Sequence, residues 1–95
     1  MSETLAQEAT ETRIKRLRMR SWRRGIKEMD LILGPFADQE LTGLSSQDLE
    51  LYERLLDQND QDLLAWSTGA AEVPDWLEPL LTRIVSRART RMQAG

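Results

Sequence analysis

Apolar residues return at three- and four-residue steps along most of this chain and never alternate, which points to helices throughout. The clearest stripe is Leu77, Leu80, Leu81, Ile84, Val85, Ala88 and Met92. Valine and isoleucine together number six, too few for a sheet built on β-branched residues. At 95 residues the chain is one domain near the size where a single core becomes workable. The expected fold is all-α: a compact five-helix bundle, single domain. Residues 1–11 are expected to form a flexible, frayed N-terminal extension, and residues 12–93 the helical domain.

Local signals separate the helices. The first is expected from Glu11 to Arg24, with Ile14, Leu17 and Ser21 turned inward. The second starts near Gly25 and carries Ile26, Met29, Ile32, Leu33 and Phe36, with Phe36 plugging the bundle. Gly34-Pro35 should bend or interrupt it, because a proline ring clashes with the preceding turn. Ser45-x-x-Asp48 resembles a capping signal for a third helix whose inner face is Leu49, Tyr52 and Leu56, with Leu51 and Leu55 beside it. Asp60 is placed to cap a short fourth helix through Leu63, Leu64 and Trp66, and Gly69 to end it. The fifth begins between Asp75 and Pro79, and arginines in its last turns suit the negative end of the helix dipole.

Cysteine and histidine are both absent, which removes whole classes of chemistry. Disulfides, thiol nucleophiles and the usual zinc, haem and iron–sulfur ligand sets are excluded, as are histidine-based triads. The run Asp57-Gln-Asn-Asp-Gln-Asp lacks the glycine and the bidentate acid of a calcium loop, so a capping turn is the better reading and no metal is expected. No glycine cluster cradles a phosphate. The first residues show neither the basic nor the apolar region of a secretory leader and carry acids early, so a cytoplasmic location is expected. No apolar run is long enough for membrane insertion.

Charge is segregated along the chain. Residues 13–27 hold eight of the thirteen basic residues and no acid, whereas 28–78 hold thirteen acids against Arg54 alone. Arg83, Arg87, Arg89 and Arg91 follow. The natural complement of the first basic segment is an acidic surface on another protein, or this chain's own acidic middle.

Within that basic segment, Arg23-Arg24-Gly25-Ile26-Lys27-Glu28 puts a glycine where a helix would otherwise continue. Glycine costs a helix interior about 1 kcal/mol relative to alanine, so the position needs a reason. Either the chain turns here, or a partner's backbone comes too close for a side chain. Arg24 and Glu28, four apart, also have the spacing of an ordinary helical ion pair.

The combination resembles the succinate dehydrogenase assembly factor family, which promotes flavinylation of the flavoprotein subunit. Its Arg-Gly-x-x-Glu hallmark is matched by Arg24, Gly25 and Glu28, flanked by Arg23, Asp30, Pro35 and Phe36. The similarity continues in Arg54-Leu55-Leu56, in Asp60-x-Asp62-Leu63 and in Trp66, and covers roughly residues 13–90. Gln61 stands where the family often has proline, and the phenylalanine expected near Leu64 is absent. The resemblance implies a non-enzymatic helical chaperone of a bacterial cytoplasm. It would bind the succinate dehydrogenase flavoprotein, and also the fumarate reductase flavoprotein if that is a second client. Its partner-binding residues would be Arg23, Arg24, Gly25, Glu28, Asp30, Pro35 and Phe36. In this reading Gly25 admits the partner's surface, Arg24 offers a planar fork, and Glu28 fixes Arg24 or accepts from the partner. FAD belongs to the partner, this chain holds no cofactor stably, and the free chain is expected to be a monomer.

Two other readings come from different classes. A nucleic-acid-binding regulator would use residues 13–27 with Trp22, and its affinity would fall steeply with salt. A small enzyme would use Glu28 or Asp30 as a base, but residues two apart do not share a helix face.

Overall fold

The computed structural model describes residues 2–94, with side chains described for 9–91. The helices are α1 (Ser2–Ser21), α2 (Lys27–Glu40), α3 (Ser46–Leu56), α4 (Asp60–Thr68) and α5 (Glu78–Ala94), with a short 3-10 turn at Leu41–Gly43. This is the expected all-α bundle, and among the described residues there is no strand. Nor is any described helix long and apolar enough to cross a membrane.

The first helix begins at Ser2, well before the expected Glu11. The segment before Glu11 contains neither glycine nor proline, so no residue type in it breaks a helix. The helix also stops at Ser21, three residues short of Arg24.

The second helix is central, touching α1, α4 and α5. Its Met29, Leu33 and Phe36 are fully enclosed, each burial contributing roughly 2 kcal/mol. Phe36 stacks on Tyr52 of α3 with ring centroids 5.8 Å apart. The helix runs through Gly34-Pro35 to Glu40 without interruption, contrary to the break expected there. Proline has no N–H for the carbonyl of Leu31, and Nη2 of Arg91, reaching over from α5, lies 3.5 Å from that oxygen. Gly34 has its own reason. A Cβ at this position would penetrate the six-membered ring of Trp22, whose indole lies flat against the bare backbone. Trp22 is held there by its Nε1, which donates to the Asp38 carboxylate at 3.2 Å.

Capping follows the sequence closely at α3, where Ser45 accepts from the Asp48 N–H at 3.1 Å. Gly69 ends α4 in the left-handed region at φ 82°. The N-cap of α4, however, is Asn59, which accepts from the Gln61 N–H at 2.8 Å, and not Asp60. Helix α5 starts at Glu78 with Pro79 in its first turn, where a missing N–H costs nothing. Leu77, Leu80, Leu81, Ile84 and Ala88 form its buried stripe, and the side chain of Met92 lies outside the described residues.

Candidate functional site

Between Ser21 and Lys27 the chain changes direction. The N–H of Trp22 still bonds back to the Arg18 carbonyl at 3.2 Å, then the helical ladder ends. Gly25 adopts φ 102°, a conformation that L side chains rarely adopt. Ile26 is extended at φ −120° and starts α2, with Glu28 and Asp30 in its positively polarised first turn. Of the two reasons for Gly25, the turn is the one the backbone displays. A Cβ there would meet only Oδ2 of Asp60, at an ordinary 3.6 Å.

Arg24 turns inward. Its Nε donates to Oδ1 of Asp60 at 2.7 Å, Nη1 to the Leu56 carbonyl, and Nη2 to the Gln58 carbonyl at 2.9 Å. The side chain is only 10% exposed and that of Asp60 22%. One planar fork therefore satisfies carbonyls at the C-terminal end of α3 and ties the α1–α2 turn to the α3–α4 turn. The backbone N–H of Arg24 donates to Oδ1 of Asp30 at 2.8 Å, which fixes the same turn from the α2 side.

This geometry sorts the candidate residues. Arg23, Gly25 and Glu28 are exposed; Arg24, Asp30 and Pro35 are half-buried; Phe36 is fully enclosed. In this structure each guanidinium nitrogen of Arg24 already donates inside the chain, so the fork is turned inward and not toward a partner. The helical Arg24–Glu28 pair does not form either, since Arg24 precedes the helix. Among the described residues no ion pair engages Glu28. Asp30 is spoken for by a backbone N–H, which leaves little for an Asp30 base to do. Phe36 has no surface to present and packs in the core against Tyr52.

The basic segment finds much of its complement in the chain's own acidic middle. Arg13 pairs with Glu53 at 3.3 Å and Arg20 with Asp57 at 2.9 Å, alongside Arg24 with Asp60. On the opposite side of α2, Arg83 and Arg87 of α5 share Glu40 at 3.3 and 3.1 Å. The exposed pairs contribute about 0–1 kcal/mol each. Asp57 and Asp60 of the calcium-like run are thus engaged by arginines and Asn59 by a helix N-terminus. Trp66 and Trp76 pack against the core as rim residues, with Arg54 stacked 3.9 Å over Trp76.

The role of Asp60 was not legible from its neighbours, where it looks like a cap. The only sequence signal was the charge imbalance between residues 13–27 and the acidic middle.

Fold and turn together define a small helical protein whose distinctive surface is bare backbone beside unpaired charge. Residues 15–88 match the family described as "Flavinator of succinate dehydrogenase", and the chain belongs to this family. It is similar to the "FAD assembly factor SdhE" of Shewanella oneidensis, 41% identical over 69 residues, which cover 73% of this chain and 80% of that protein. It is also similar to "Succinate dehydrogenase assembly factor 2, mitochondrial" of Meyerozyma guilliermondii, 37% identical over 84% of this chain and 62% of that protein. The protein of the same description from Mycosarcoma maydis is 42% identical over 70% of this chain, which spans only 28% of its length. The family is one of assembly factors, not of enzymes.

Proposed function

We propose that this chain binds the flavoprotein subunit of succinate dehydrogenase before the complex is assembled, and promotes covalent attachment of FAD to a histidine of that subunit. The observation that carries this reading is the clasped α1–α2 turn, which holds exposed Gly25 beside the unengaged carboxylate of Glu28. The docking group is the turn's outer surface: Arg23, the Gly25 backbone and Glu28. Arg24 and Asp30 hold that surface in shape, and Pro35 and Phe36 belong to the helix that leaves the turn.

The flavin chemistry belongs to the partner. A chain without histidine or cysteine lacks the usual acceptors for flavin, so its part is positioning. Binding favours the flavoprotein conformer in which FAD and the acceptor histidine are aligned. Preference for that conformer by ~5.5 kcal/mol is enough to turn it from rare to dominant. The bacterial cytoplasm is the setting we assign, supported by the Shewanella relative, most of whose length this chain covers. The free chain acts as a monomer.

Co-expression of the flavoprotein with this chain, followed by in-gel flavin fluorescence after denaturation, tests the proposal. Covalent flavin should rise with the wild-type chain and fall toward background with Glu28→Ala, whose helical circular dichroism should be unchanged. Equal fluorescence with and without the wild-type chain would overturn the proposal. Equal fluorescence with wild type and Glu28→Ala would remove Glu28 from the docking group.

A further inference from the structure

Not all cations of α1 and the turn after it are used by the fold. Lys15, Arg16 and Arg23 are exposed, and among the described residues no carboxylate lies within 4.0 Å of them. Arg16 and Arg23 flank Met19 on the side of α1 away from Ile14, Leu17 and Ser21, which face the core. Met19 is 48% exposed, one of the few large apolar side chains left in solvent. Together Arg16, Met19, Arg20, Arg23 and Arg24 line a shallow recess of about 300 Å³. Two of its lining arginines are paired within the chain, Arg24 firmly with Asp60 and Arg20 at the surface with Asp57. The recess ends at Arg24, the residue before Gly25, so it adjoins the turn.

We infer that this recess is a second docking element, which takes an acidic segment of the flavoprotein with an apolar side chain seated on Met19. The inference rests on the function proposed above and extends the docking surface from the turn to Arg16, Met19 and Arg20, which lie outside the Arg-Gly-x-x-Glu signature. Charge complementarity selects the occupant. With Arg20 and Arg24 neutralised internally, Arg16 and Arg23 are left to meet carboxylates, and methionine's flexible thioether accommodates an apolar knob of varied shape. A nucleic acid is the weaker fit. The chain as a whole carries net charge −3, and with Arg20 and Arg24 already paired the recess has too few free cations for a run of phosphates, though enough for one or two carboxylates.

The test measures binding of the full chain to purified flavoprotein across a salt series from about 0.05 to 0.5 M. Arg16→Glu and Met19→Glu should each weaken binding about tenfold at low salt, and the Arg16→Glu loss should shrink as salt rises. Arg89→Glu, the same charge change on exposed α5 surface, should bind like wild type. Wild-type affinity in both α1 variants, with the wild-type chain itself binding, would overturn the recess alone. Failure of the wild-type chain to bind would overturn the proposed function and the recess with it. Tighter binding of a DNA duplex than of the flavoprotein, lost in Arg16→Glu, would assign the recess to nucleic acid instead.

Discussion

Asp60 holds Arg24 at 2.7 Å across 36 residues of sequence, so the first residue of the Arg-Gly-x-x-Glu signature is anchored by the acidic turn after α3. Two separate stretches that resemble the family, Arg24-Gly25-x-x-Glu28 and Asp60-x-Asp62, thereby become one device. The signature's arginine faces inward so that its glycine and glutamate can face outward.

Arg24→Ala should therefore destabilise the fold as well as the site. It strands the Leu56 and Gln58 carbonyls and leaves Asp60 without its cation. Removing one partner of a largely buried pair costs roughly 3 kcal/mol. Arg24→Lys should fall between wild type and Arg24→Ala, because an ammonium keeps the charge but not the planar fork. Urea unfolding of the three proteins measures this, and equal midpoints would show that the clasp contributes nothing.

Gly25 separates backbone geometry from surface contact. At φ 102°, alanine and arginine incur the same backbone strain, about 1–3 kcal/mol, and Asp60 leaves room for a Cβ in either case. They differ in reach beyond the surface. Gly25→Arg should abolish flavoprotein binding while Gly25→Ala retains a measurable part of it, the two melting alike. Equal loss in both variants would mean that the turn's shape, not the open surface, is what the partner needs.

At Gly34 the constraint is packing. Any Cβ there runs into the Trp22 ring, and the ring is tethered to Asp38, so Gly34→Ala should cost about 1–3 kcal/mol through overpacking. Trp22→Ala makes room for the methyl group. In a double-mutant cycle read by urea unfolding, Gly34→Ala in the Trp22→Ala background should cost much less than in wild type. Strict additivity would show that the indole leaves its seat in solution.

Local signals were legible in the sequence, and distant ones were not. Ser45 and Gly69 mark helix ends because capping is decided within a few residues. The apolar stripes gave the core for the same reason, since 3.6-residue periodicity is a local property. Pro35 misled because the group that meets its orphaned carbonyl, Arg91, lies 60 residues from Leu31. Gly34 suggested a bend because its cause is an aromatic ring from the turn after α1. At the site, the turn at Gly25 was readable, but the direction of Arg24 depended on Asp60. A lone aspartate before a helix looks like a cap whichever way its carboxylate points.

Tyr52 supplies a prediction in pH. Its hydroxyl lies 2.6 Å from Oγ of Ser21, which in turn donates to the Leu17 carbonyl at 2.7 Å. Either hydroxyl can be the donor between the two, and the Tyr52 hydroxyl also lies 3.4 Å from the Leu33 carbonyl, in the core where α1, α2 and α3 meet. Burial pushes its pKa well above the ordinary 10.0, outweighing the lowering effect of the Ser21 hydrogen bond. The unfolded phenol ionises near pH 10 while the folded one stays protonated, so above about pH 10 the unfolded state binds fewer protons. Stability from this group is thus complete below that pH and declines above it, by at most about 1.4 kcal/mol per pH unit. Tyr52 is the single tyrosine of the chain, so phenolate absorbance reports on it alone. On raising the pH, absorbance should appear together with loss of helical circular dichroism, not before it. Tyr52→Phe should lose about 1 kcal/mol at neutral pH and show a shallower alkaline decline. Phenolate formation in a still-helical protein would mean that the hydroxyl is not sealed in the core.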